Sequence, residues 1–276
     1  MAEQKQGGEL RLGRLFLGLM ALFFLIMNVV MFAGVRLGGL SAGVALGTIA
    51  AEVTLCAVFA ALAPFSVFVR VITGVAGAAV VCLAVFRVGG ASNEDRVIIS
   101  AAAFLQWIAV QVPLWVFRIH SGWCLRLSAD RTSEFSRRDL QFGIRQMMAW
   151  TAVVAVFLSL AKTLIPSGFF ERSPRAEMIT IVAILVVFSS LAAWPMIWAA
   201  FVRSRMFIWC VVAVACSAIL CMAEVWAFET AVKPGVNVAT IVAMHLVQLV
   251  AVGGSLLVVR LNGIRLVRAG DVVSAA

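Results

Sequence analysis

A chain of 276 residues that is 63% hydrophobic and 13% charged, with a mean hydropathy of +1.07, cannot clothe its surface in polar groups; a water-soluble domain carries roughly 25% charged residues. An ordinary soluble fold is thereby excluded, and the apolar runs do not alternate as the strands of a membrane β-barrel would. The net charge of +9 invites a nucleic-acid reading, but the charges are placed to encode membrane topology, as the loops show below.

Eight apolar runs approach the ~20 residues that cross a bilayer: 15–35, 43–63, 66–86, 97–117, 145–165, 178–200, 206–227 and 237–259. Backbone exposed to lipid must satisfy its own hydrogen bonds, so the expected fold is all-α transmembrane, an eight-helix bundle. Residues 1–9 are polar. The first run, about 21 residues long, exceeds the apolar core of a secretory leader and reads as an uncleaved first span with one polar residue of note, Asn28. In the second run Gly43, Gly47 and Ala51 recur at four-residue spacing. Small residues on one stripe let membrane helices approach closely. Glu52 lies beside that stripe near midspan, and Pro64 ends the run. Arg70 opens the third run, where Gly74 and Gly77 make another small-residue face.

The polar loop 89–96 leads to the fourth run, which carries Gln106 and Gln111 and exits at Arg118. Residues 122–127 alternate weakly and suit a short strand or an interfacial segment. Ser136 to Asp139 fits a capping box before the fifth run, which would give that span a basic lead-in containing Arg137 and Arg138. The sixth run holds Trp194, Pro195 and Trp198 near its end, and Arg203 and Arg205 flank the next turn. Glu224 and Glu229 close the seventh run, where nearby water is expected to solvate both. The eighth run holds His245, Gln248 and Gly253-Gly254, then exits at Arg260.

With loops assigned to alternating sides, the side of the N-terminus holds 15 Lys and Arg residues and the other side 7. Positive charge stays in the cytoplasm during insertion, so both termini are expected inside. Trp115, Trp123, Trp150, Trp194, Trp198 and Trp209 then fall near inner ends, as an interfacial belt would. Arg118, Arg137, Arg138 and Arg260 read as topology anchors in contact with lipid head groups. The expected location is the bacterial inner (cytoplasmic) membrane.

Shifting the chain by 142 residues sets Gln106, Ala109, Val110, Leu114, Val116 and Arg118 on identical residues at Gln248, Ala251, Val252, Leu256, Val258 and Arg260. After a one-residue gap, Gly122, Leu125 and Asp130 meet Gly263, Leu266 and Asp271. The reading is two tandem four-span repeats, residues 1–130 and 131–276. Four is even, so both copies insert the same way and are parallel, related by an axis along the membrane normal. The exit segments 122–130 and 263–271 are expected to meet near that axis as a short two-stranded cytoplasmic cap.

Residues 135–160, with GWCLRL just before them, resemble a span-starting motif common in uncharacterised bacterial multi-pass membrane proteins, in which Phe-Ser and an Arg precede a Leu and a valine- and alanine-rich span. Phe135, Ser136, Arg137, Leu140 and Met147 carry part of that pattern, with Arg138-Asp139 inserting extra charge. The resemblance covers about forty residues and implies no activity.

Glu52 is the sharpest candidate for function. A charged side chain at midspan costs about 2.5–3.5 kcal/mol on insertion scales and by default suggests a site; the plainer role is a hydrogen-bonded glutamate joining helices. Glu52, Gln106, Gln111, His245 and Gln248 together would line a polar pathway. Against it stands hydrogen bonding between helices, worth about 0.6 kcal/mol on average. Six cysteines without a CxxC or Cys/His cluster, and two histidines in all, leave no protein-built zinc site. P-loop, GxSxG and HExxH patterns are absent from the sequence. The chain is therefore expected to be no enzyme, to need no cofactor, and to bind no nucleic acid. Its partners are the lipid bilayer and other membrane proteins or a second copy. The expected function is a structural or interaction membrane subunit, with a small-solute or ion transporter or channel as the alternative.

Overall fold

The computed structural model describes residues 19, 22–30, 39–62, 77, 93–121, 123–127, 175–201, 206–232, 237–262 and 264–268. They form five long helices, α1 (Leu40–Leu62), α2 (Asn93–Ser121), α3 (Arg175–Phe201), α4 (Met206–Ala231) and α5 (Val238–Leu261), and two short strands, β1 (Trp123–Leu127) and β2 (Ile264–Arg268). A helical stretch also covers 22–30. Each long helix contains a span of 23 to 25 residues that is long and apolar enough to cross a membrane. At 1.5 Å per residue this is about 35 Å, enough for a hydrocarbon core of ~30 Å. These spans mark an integral membrane protein.

The five helices are the second, fourth, sixth, seventh and eighth apolar runs, each lengthened by up to about a turn. Of the first run the description covers residues 19 and 22–30, and of the third only Gly77. The fifth run, 145–165, lies outside the described residues, as do Arg137 and Arg138.

α1, α2, α3 and α5 form a ring in which each helix packs on two neighbours, and α4 lies outside against α3 and α5. The ring helices run parallel. Gly43 and Gly47 of α1 face Thr240 and Met244 of α5. Gln106 and Arg118 of α2 reach Ala50 and Ala61 of α1, and Gln248 and Arg260 of α5 reach Ser189 and Ala200 of α3. In each pair, later residues meet later residues. A core of Val53, Val58, Leu62, Trp107, Val110, Met196, Val252 and Leu256 fills the centre.

In lipid, apolar burial gives helices little reason to associate, so close packing and polar links must hold the ring. The α1–α5 seam supplies the packing. A Cβ at Gly47 would lie 2.5 Å from the Met244 carbonyl, and one at Gly43 would strike the Thr240 carbonyl. The two helices also start together. Gly39, at φ 52°, turns the chain into α1, and its carbonyl accepts from the Thr240 hydroxyl at 3.0 Å. Asn237 caps α5, its side chain accepting from the Ala239 amide at 3.1 Å, which satisfies one of the otherwise orphaned first-turn donors.

α2 and α5 each lead into a strand. β1 and β2 pair antiparallel, with Leu125 opposite Leu266 at the centre and Trp123 and Leu127 opposite Arg268 and Ile264 at the ends. Leu125 is buried under the bundle, packed with its core.

Candidate functional site

Of the residues proposed to line a polar pathway, His245 and Gln248 share a face of α5, Gln106 and Gln111 lie on α2, and Glu52 lies on α1. Glu52, Gln106, His245 and Gln248 each bond to a neighbouring helical segment. Gln106, buried on α2, donates through Nε2 to the Ala50 carbonyl and the Thr54 hydroxyl, both at 3.1 Å. Gln248, wholly buried on α5, donates to the Ser189 carbonyl at 2.9 Å. Glu52 is half-buried and accepts from Asn28 Nδ2 at 2.5 Å, tying the stretch 22–30 to α1; that amide nitrogen also donates to the Phe24 carbonyl. Gln111 is buried on α2.

Two of the four arginines read as head-group anchors, Arg118 and Arg260, are part of the same system. Arg118 is buried and donates through Nη1 to the Ala61 carbonyl at 2.7 Å; half-buried Arg260 donates to the Ala200 carbonyl at 2.9 Å. Both acceptors lie in the last turn of a neighbouring helix, α1 or α3. The last four carbonyls of a helix lack intrahelical donors and carry the negative end of the helix dipole. A guanidinium there supplies hydrogen and charge together, and so offsets the cost of burying Arg118.

These bonds correspond in pairs. Gln106 and Gln248 are 142 residues apart, as are Arg118 and Arg260, while their acceptors, Ala50 and Ser189, Ala61 and Ala200, are 139 apart.

Sequence reasoning sets Glu224 in water; the structure corrects this. Glu224 is 0% exposed and His245 3% exposed, and His245 Nε2 meets Glu224 Oε2 at 2.5 Å. The reason is depth. α4 continues to Ala231, leaving Glu224 seven residues below its end, and His245 lies seven residues into the antiparallel α5. Equal depth on adjacent antiparallel helices is the signal that could have found the pair. Glu229, one more turn along, is exposed. Charged or neutral, a carboxyl–imidazole pair that shares its proton internally has no net charge, which limits the cost of burial.

The pair is incompletely satisfied. Glu224 Oε1, His245 Nδ1 and Gln248 Oε1 are buried without hydrogen-bond partners. His245 and Gln248 are three apart on α5 and so share a face. A buried polar atom left unpaired costs about 1–3 kcal/mol. The Glu224 carboxyl and the His245 imidazole are close enough to share a proton between them. No three His, Cys, Asp or Glu side chains among the described residues are grouped to hold a metal ion.

Family models, curated proteins and solved structures give no match to this chain.

Proposed function

We propose that the protein is a structural or interaction subunit of the bacterial inner membrane, an eight-span bundle of two parallel four-span repeats, 1–130 and 131–276, with both termini and the β1–β2 pair on the cytoplasmic side. The observation that carries the structural role is the use made of intramembrane polar groups. Gln106, Gln248, Arg118, Arg260 and the Asn28–Glu52 pair each join one helical segment to another. The matched spacing of the Gln and Arg bonds supports the repeat. So does the strand pair, since a two-fold axis sets equivalent residues such as Leu125 and Leu266 opposite one another. Connectivity supports the span count. Parallel α1, α2 and α3 require the chain to return across the bundle between them, and the apolar runs 66–86 and 145–165 have the length to do so.

A second reading, a proton-coupled transporter, rests on the buried Glu224–His245 pair and its unpartnered atoms. One experiment separates the two. Single cysteines replacing Gln106, Gln111 or Gln248 are treated with a membrane-impermeant thiol reagent in native membranes, alongside proton flux into proteoliposomes. A structural subunit leaves all three unlabelled and the vesicles tight; labelling together with a flux abolished by Glu224→Gln establishes transport instead.

A further inference from the structure

The two seams that close the ring are built on corresponding positions and differ where the α1–α5 helices make their closest approach. In the α1–α5 seam, Gly43 and Gly47 bring the helices together against Ala243 and Val247. The positions 139 residues after the glycines are Val182 and Val186 of α3, and those 142 before Ala243 and Val247 are Ala101 and Leu105 of α2. All four line an open trough of about 590 Å³ between α2 and α3. Branched valine side chains stand where the other seam has bare backbone, so α2 and α3 cannot close.

We propose that this trough binds one acyl chain of a bilayer lipid, taken from the leaflet at the N-terminal ends of α2 and α3; the inference rests on the membrane reading but not on the subunit's role. Three observations select the occupant. The lining is apolar throughout among the described residues, including Ile108, Ala109 and Ala183, so these offer a head group or solute nothing to bond. The trough also opens sideways between α2 and α3, both long and apolar enough to cross a membrane, and the medium that such spans meet is hydrocarbon. Its length decides against a protein helix. On α3 it runs from Met178 to Val187, about 14 Å at 1.5 Å per residue, which is half of a ~30 Å hydrocarbon core. Below it the seam is shut by Phe117 of α2 and Trp198 of α3, in edge-to-face contact with centroids 5.5 Å apart. A helix laid along the groove would be stopped where Phe117 meets Trp198, whereas one acyl chain needs a single leaflet.

The test uses the full chain reconstituted in vesicles of phosphatidylethanolamine and phosphatidylglycerol, re-extracted in mild detergent and weighed by native mass spectrometry. The wild type is expected to retain one lipid per chain. Ala183→Phe, which fills the trough, and the pair Val182→Gly and Val186→Gly, which lets the seam close as α1–α5 does, are each expected to reduce retention at least fivefold. Val250→Phe, on the exposed face of α5, should not. A wild type that retains no lipid, or retention unchanged in both trough variants, overturns the proposal. So does a dimer that Ala183→Phe dissociates, because the occupant is then a second copy. A chain released from membranes without detergent would instead defeat the membrane reading itself.

Discussion

At the scale of single residues, the Glu224–His245 pair is the point of greatest leverage. Removing one member strands the other in a buried site, and breaking a buried pair typically costs 3–5 kcal/mol. His245→Ala or Glu224→Ala should each lower stability by about that amount, measured by denaturation in mixed detergent micelles. The double variant Glu224→Ala with His245→Ala should lose clearly less than the sum of the two singles, because neither partner is left alone. Simple additivity would show that the two side chains do not depend on each other. The pair is only half legible in the sequence. His245 stands out as an ionisable residue inside a span, but hydropathy ends the seventh run about a turn too early and so leaves Glu224 in water; one turn moves a residue about 5.4 Å in depth. Glu52 is legible because midspan position does not depend on where the ends are drawn. Its partner Asn28 is conspicuous too, but no spacing rule links residues on separate helices.

At the scale of helices, glycine context separates seams from surfaces. Gly43 and Gly47 face α5 backbone at contact distance, whereas a Cβ at Gly253 or Gly254 would meet nothing within 4 Å. Gly43→Ala and Gly47→Ala should therefore each destabilise the bundle by about 1–3 kcal/mol, the usual cost of overpacking. Gly253→Ala and Gly254→Ala should be neutral or gain up to about 0.5–1 kcal/mol of helix propensity. The check is the same unfolding measurement on all four variants, and equal effects at both sites would contradict the close-packed seam. The four-residue spacing of Gly43, Gly47 and Ala51 is enough to announce close approach. It does not say that α5 is the neighbour, because a stripe specifies a surface and not its partner. The same limit hides the role of Arg118 and Arg260. A basic residue at a span end reads as an anchor, and only the adjoining end of α1 or α3 reveals the carbonyls that it caps.

At the scale of the molecule, the β1–β2 pair joins residues far apart in the chain. Cysteines introduced at Leu125 and Leu266, in a background without native cysteines, should form a disulfide under mild oxidation. Cysteines at Leu125 and Val238 should not, because Val238 lies at the opposite end of α5 from β2. The readout is a mobility shift on non-reducing gels, reversed by reductant. Equal crosslinking of both pairs would remove the strand pair as a fixed feature. The five described spans are legible in the sequence to within about a turn because bilayer thickness fixes their length. Their order around the ring is not, since hydropathy is blind to neighbours.

That pairing also fixes a moment in the life of the chain. β1 leaves the ribosome about 140 residues before β2, and at synthesis rates of about 5–20 residues per second its edge waits on the order of ten seconds for a partner. An unpaired edge is a template for the wrong strand. The nascent protein thus carries an open edge while all the intervening residues are synthesised, and that edge can close only once β2 has emerged.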